Sequence, residues 1–442
     1  MRLHLTCVNS VVLALTIFGS CRLSVNAQGI AYPSLAAPSN TIGVVLPLSG
    51  KYRQYGERAR AAIELALAGT ANNNGPSVVF RDGEGTEEAS AMAVEQLVMN
   101  DRVIAIIGPL FSKEAQAASK RAEALGVPII SLSHQSGITD IGPHVLRTGL
   151  TVEAQAKALA RVAFEKLGMR TFAILQPRNP YGISFANAFW NEVEKRKGEI
   201  RGHEVYEREQ TTFKEPIRKL VGRWHLQARP AYNKAVREIE EQKIPAHRKQ
   251  LLLQDLEKSF PPEIDFDGLI IPDSGQNLGL IAPALAFEDI VLTHDPKALE
   301  KLRKSSGQEN LKPITLLGAS TWNSVQTVNS CERYCENAVF VDAFFADSAS
   351  PKVRAFVAAF EEKTHSAPQL SDAIAYDTAL LVKSHLTTSQ PSKREDLLKL
   401  LRNGAPFDGI TGRLRFLPNG DIERDLVVLT ITNKQIVPWK LQ

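Results

Sequence analysis

IGVVLPLSG, residues 42–50, is an apolar run that closes on a small polar corner, Ser49-Gly50. The same grammar recurs in VVFRDGEG (78–85), VIAIIGPLFS (103–112) and VPIISLSHQS (127–136). Near-continuous Val/Ile runs suit the strands of a parallel sheet covered by helices on both faces, because no side of such a strand meets water. Each polar corner then falls at a strand's carboxyl end, where open α/β sheets hold their ligands. The fold class read from this pattern is α/β, and the chain is expected to hold something small.

The N-terminus says where. Arg2 and His4 precede an apolar run over residues 11–18, too short for a membrane span and suited to a signal h-region. One reading removes residues 1–27 as a signal peptide, with small residues at Val25-Asn26-Ala27 ahead of the cut. The other takes Phe18-Gly19-Ser20-Cys21 as a lipobox-like site, with lipid on Cys21. Both export the protein to the periplasm or cell envelope. Residues 28–40, with Pro33 and Pro38, read as a tether.

About four hundred residues then remain, comfortable for two lobes and too many for one compact core. The formal net charge of +4 is spread among interleaved acids and bases, which excludes the basic stripe of a nucleic-acid binder. Cys331 and Cys335 form a Cys-x3-Cys pair that an oxidising compartment would close as a disulfide, with a turn at residues 332–334. No other Cys or His stands at ligand spacing, so neither a metal nor any other cofactor is expected.

Past the fourth strand the alternation continues. Residues 145–151 read as a crossing segment, and strands and helices then alternate from 153 to 345. Helices follow at 351–363, 370–386 and 394–402, and short strands fill 412–439. A charged stretch at 223–262 breaks the rhythm and reads as an inserted helical hairpin, either solvated decoration or a docking surface. Arg81-Asp82-Gly83-Glu84-Gly85 approaches a dinucleotide fingerprint, but Glu88 stands where the third glycine is needed. Nucleophile elbows, P-loops and HExxH motifs are absent from the sequence, and no enzymatic activity is expected.

The stretch from Gly43 to Gly50, with Tyr55-Gly56 and Glu64-Leu65-Ala66, resembles the first strand and helix of type 1 periplasmic solute-binding proteins of the leucine/isoleucine/valine-binding family. Residues 103–109 with Ser112, 127–131, Tyr181-Gly182, 338–345, Ala375-Tyr376-Asp377 and 407–412 are similar to it as well. The resemblance implies a two-lobed clamshell, each lobe a mostly parallel sheet flanked by helices, with three hinge crossings. Mapped onto this chain, it places residues 41–149 and 346–405 in lobe one. Residues 150–345 and 406–442 fall in lobe two. It also implies a ligand carboxylate on Ser49, Ser112 and Ser133.

The corners offer the candidate site on physical grounds too, since free N–H groups and partial positive charge at helix N-termini favour a carboxylate. Ser49, Ser112 and Ser133 occupy such corners, with helix capping as the plain alternative. Tyr52, Phe111, His134, Tyr181 and Trp322 are the candidate walls. Where relatives that bind amino acids place an acid for the ligand ammonium, this chain reads Ala319-Ser320-Thr321-Trp322, so Ser320 stands in its place. Either another carboxylate serves, with Asp273 the candidate, or the ligand is not an amino acid.

Two function classes follow. One is a solute receptor that delivers an amino acid or related carboxylate to an inner-membrane ABC permease. The other, suggested by the likeness of FDGLIIPDS (266–274) and Ile281-Ala282-Pro283 to penicillin-binding protein activators, is a scaffold for a penicillin-binding protein.

Overall fold

The computed structural model describes residues 39–68, 75–306 and 311–440. The signal peptide, Cys21 and all of the tether except residues 39 and 40 lie outside the described residues. The first lobe opens with β1 (Thr41–Leu46), α1 (Arg53–Leu67), β2 (Ser77–Asp82), α2 (Glu87–Met99), β3 (Ala105–Ile107), α3 (Ser112–Ala124), β4 (Ile129–Ser131) and β5 (Val145–Arg147). These strands form one parallel sheet in the order β2-β1-β3-β4-β5. All six residues of β1 are buried, as the opening run requires. Val145 to Arg147, read above as a crossing segment, is instead the fifth strand, and the crossing begins at Thr148.

The second lobe carries α4 (Val152–Glu165), β6 (Thr171–Pro177), α5 (Pro180–Lys195), β7 (Glu199–Tyr206) and α6 (Lys214–Leu220). It continues with α7 (Pro230–Glu240), α8 (Ala246–Ser259), β8 (Gly268–Ile270), α9 (Gly275–Phe287), α10 (Pro296–Ser306), β9 (Thr315–Gly318), α11 (Val325–Cys331) and β10 (Val339–Asp342). The chain then returns to the first lobe through α12 (Pro351–Thr364), α13 (Leu370–Thr388), α14 (Arg394–Asn403), β11 (Phe407–Gly409), β12 (Gly412–Phe416) and β13 (Ile422–Arg424). It crosses once more to β14 (Val427–Thr432) and β15 (Gln435–Pro438), which complete the order β15-β14-β10-β9-β8-β6-β7. There β14 pairs antiparallel with both β10 and β15, and the other pairings are parallel.

The terminal segment therefore divides. Residues 406–442 were expected in the second lobe, yet Ile410 and Phe416 pack into the core that holds β1 and α13. The antiparallel β11–β13 sheet buries apolar side chains on the first lobe, and this burial outweighs its closeness in sequence to β14. The chain thus passes between lobes after β5, after β10 and after β13.

Local signals set the helix starts. Thr86, Thr151, Asn179 and Ser274 each accept a backbone N–H of the following turn, capping α2, α4, α5 and α9. Gly56 lets α1 lie against the end of β1, since a Cβ there would stand 1.9 Å from the Pro47 carbonyl oxygen. The expected hairpin at 223–262 is α7 and α8. Of its side chains Leu226, Tyr232 and Phe260 make a small cluster of their own, and α8 buries none. Cys331 and Cys335 are bridged, with a 3-10 turn over Glu332–Cys335 between α11 and β10.

Candidate functional site

On the first lobe the corners after β1, β3 and β4 converge. The Ser112 and Ser133 hydroxyl oxygens are 3.4 Å apart. Ser112 is the first residue of α3, whose N-cap, Phe111, supplies no side-chain acceptor. Ser112 is therefore not the cap of its helix, and the opening N–H groups of α3 are left without a side-chain partner from the cap. Ser133 is fully buried and accepts the Gln135 N–H at 3.2 Å. Phe111 stacks at a tilt on Tyr52, with centroids 4.6 Å apart, and meets Tyr55 edge-on at 5.7 Å. These rings form an apolar wall beside the serine pair.

Ser49 has a different task. Burial works against an ionised Asp82, yet hydrogen bonds from the Ser49 side chain and from the N–H groups of Glu84 and Leu48 outweigh it and hold that carboxyl below its usual value. Next to this pair lies Glu114, which sequence reasoning missed. It is 2% exposed, and burial with the neighbouring Asp82 charge pushes its carboxyl up to about 7.

The opposite edge belongs to β6, β8, β9 and β10. Tyr181 stands in the first turn of α5, its hydroxyl enclosed beside Thr321, and burial raises its pKa. His134 faces it across the lobes, and both line a cavity of about 550 Å³ with Asn179 and Arg208. Desolvation and the Arg147 charge push the His134 imidazole below its ordinary value. Asp273 accepts the Tyr206 hydroxyl at 2.6 Å and Asn277 Nδ2 at 2.7 Å on one oxygen, and the Ser274 N–H at 2.6 Å on the other. Its carboxylate is turned into its own lobe, where it organises the start of α9.

Trp322 was expected on the wall and is not there. It is 0% exposed, donates its indole N–H to the Asp273 carbonyl at 3.1 Å, and packs against Phe340 and over Gly318. A large ring beside a glycine fills the core more cheaply than it lines a wet cleft. Ser320, two residues earlier, does reach a cavity. With Asn323, Asp342, Phe344 and residues 367–370 it lines about 900 Å³ between the lobes. Its N–H is bound by Gln155 Oε1 at 3.0 Å.

Asp342 is the second carboxyl the sequence reading passed over. It ends β10 at 2% exposure, and burial pushes it up to about 7 against the pull of Asn323, two backbone N–H groups and Arg424. An acid inside the otherwise apolar run VFVDAFF was the available signal. Among the described residues no group of three or more His, Cys, Asp or Glu is placed to hold a metal ion, and no helix is long and apolar enough to cross a membrane.

The comparisons with known proteins agree with this architecture. The family model for periplasmic binding proteins matches residues 39–222 and 287–435, leaving unmatched the stretch 223–286 that holds the α7–α8 hairpin, β8 and most of α9. Leu/Ile/Val-binding protein homolog 6 of Brucella abortus is 28% identical over 164 residues, which are 36% of this chain and 42% of that protein. The chain thus spans less than half the length of the curated relatives it matches. An ABC transporter substrate-binding protein from Sphaerobacter thermophilus superposes with a TM-score of 0.63 at 19% identity, over 90% of this chain and 97% of its own. The LivJ substrate-binding protein of Streptococcus pneumoniae, in complex with isoleucine, gives 0.55 at 21% identity, over 90% and 97%. Two mainly parallel sheets, three interlobe crossings and a family match over more than half of its length lead to one conclusion: the chain belongs to the type 1 periplasmic binding proteins, of the leucine/isoleucine/valine-binding kind.

Proposed function

We propose that the chain is an exported, non-enzymatic solute-binding protein. It closes on a small polar ligand, an amino acid or related carboxylate, and presents it to an inner-membrane ABC permease. The observation that carries this reading is the Ser112–Ser133 hydroxyl pair at the uncapped start of α3, next to His134, which lines a cavity with Tyr181 of the other lobe, while Ser320 lines a second cavity between the lobes. Two hydroxyls with a helix N-terminus form a site for a carboxylate. Closure would bring Tyr181 and its neighbours onto the ligand, so affinity depends on the hinge equilibrium as well as on these contacts.

The experiment is a melting-shift screen of amino acids and organic acids. A ligand at about a hundredfold its dissociation constant stabilises the native state by about 2.7 kcal/mol, a shift easily seen. If no compound in such a panel moves the melting point while a penicillin-binding protein co-purifies, the scaffold reading replaces this one.

A further inference from the structure

We infer that Asp342 is the residue that receives the ammonium group of an amino-acid ligand, taking over the task that position 320 lacks. The inference rests on the solute-binding reading above and names a contact within that site.

Three buried carboxyl groups, Asp273, Glu114 and Asp342, are candidates, and geometry separates them. Asp273 accepts three hydrogen bonds that turn its carboxylate into its own lobe, toward Tyr206 and the start of α9. Glu114 lies behind Tyr52 and Gly85, beside the ionised Asp82. Asp342 differs from both. It accepts Asn323 Nδ2 at 2.7 Å on one oxygen and the Ala343 N–H at 2.6 Å on the other, with a further backbone bond from Phe344. A carboxylate offers about four acceptor positions, so about one stays open, and this carboxyl lines the cavity between the lobes.

Placement agrees with this. β9 and β10 are parallel neighbours, and Phe340 pairs with Gly318, so the ends of the two strands lie side by side. Ser320 and Asp342 line the same cavity, bounded on the other lobe by residues 367–370. A charge supplied by β10 in place of β9 therefore reaches the same space. Asp342 is 2% exposed, and its charge acts on Tyr181 of the same lobe.

The energetics favour an incoming cation. Asp342 makes no ion pair within 4 Å among the described residues, and Arg424, whose charge acts on it, donates its Nη2 to the Thr148 carbonyl. A buried carboxylate whose hydrogen-bond donors are all neutral is costly, and an ammonium that donates to its remaining open position lowers that cost. Asp347, the other acid lining this cavity, is exposed and screened by water.

The test uses matched pairs on the full chain by calorimetry: leucine with 4-methylpentanoate, valine with 3-methylbutanoate, and phenylalanine with 3-phenylpropanoate. The wild type should prefer the amino acid of a pair. Asp342→Asn should weaken that amino acid by roughly tenfold or more and leave its des-amino partner within about twofold. Asp342→Thr, a residue suited to a strand end, serves as the second variant if the first does not fold. Equal losses for both members of a pair would make Asp342 a structural residue and overturn the inference. So would a wild type that prefers the des-amino acid, although the solute-binding reading would then stand. Failure of every pair and of the wider screen would remove both together.

Discussion

Arg424 Nη2 donates to the carbonyl oxygen of Thr148 at 2.8 Å, which ties the third passage between the lobes to the first. The guanidinium sits in low-dielectric surroundings, and burial lowers its pKa to about 10 against the opposing pull of Asp377 and Asp342. Asp342 closes the strand that leads into the second passage, so one side chain acts electrostatically on all three. Thr148 is held in turn by Thr378 of α13, with hydroxyl oxygens 2.8 Å apart. Asp377, next in sequence, accepts the N–H groups of Ile410 and Thr411. Gly409 lets that loop approach, since a Cβ there would stand 2.3 Å from an Asp377 oxygen.

Removing this tie should loosen the hinge. Arg424→Leu removes the charged donor from the Thr148 carbonyl and the positive charge that acts on Asp377 and Asp342, and a hydrogen bond to a charged group contributes about 1.5–3 kcal/mol. Denaturant unfolding of the variant checks the number. A midpoint equal to that of the wild type would show that Arg424 does not hold the crossings together.

The serine pair carries a prediction of its own. Ser112→Ala with Ser133→Ala removes two donors that would serve a ligand carboxylate, and hydrogen bonds to a charged group contribute about 1.5–3 kcal/mol. The double variant should lose roughly tenfold to a hundredfold in affinity for any carboxylate ligand found in the screen, while its melting point stays close to that of the wild type. Unchanged affinity by calorimetry would take these hydroxyls out of the site.

Acidity gives a third prediction. Glu114 and Asp342 are both pushed up to about 7 by burial, so between the ordinary carboxylate range and neutrality the native state holds protons that the unfolded chain has released. The sign follows: stability is full below the unfolded pKa, falls as pH rises through that window, and levels off above it. Glu114→Gln should remove part of the slope, on the order of 1–3 kcal/mol between about pH 5 and about pH 8. Asp82, held low, acts in the opposite sense but only at lower pH. Unfolding free energies measured at the two pH values for both proteins decide it, and parallel slopes would count against the buried carboxyl.

The sequence made the first lobe legible because its strands are buried on both faces, so β1, β3 and β4 announce themselves as Val/Ile runs. It misplaced β11–β13, since which lobe a short antiparallel ribbon covers depends on the packing of Ile410 and Phe416, and periodicity does not encode that. At the site, corner serines could be found from strand ends, whereas Trp322 could not be separated from a wall residue without knowing that Gly318 makes room beneath it. Glu114 and Asp342 went unnoticed because a carboxyl in a helix or strand reads as solvated until burial is known.

The α7–α8 hairpin gives the last prediction. The family model skips it, α8 buries no side chain, and its few apolar contacts are to itself through Tyr232, Leu226 and Phe260. One bond to the lobe is from Arg223 Nη2, which donates to the Lys258 carbonyl at 2.7 Å, but Arg223 is also held by Glu288 and Asp289 and so keeps its place without the hairpin. Replacing residues 230–257 by a short Gly/Ser link should therefore leave ligand affinity within about twofold and lower the melting point by only a few degrees, as expected for an exposed insertion with its own small core. A larger loss of affinity would mean that the hairpin reaches the cleft in the closed state, and its place as a solvated addition to the second lobe would have to be given up.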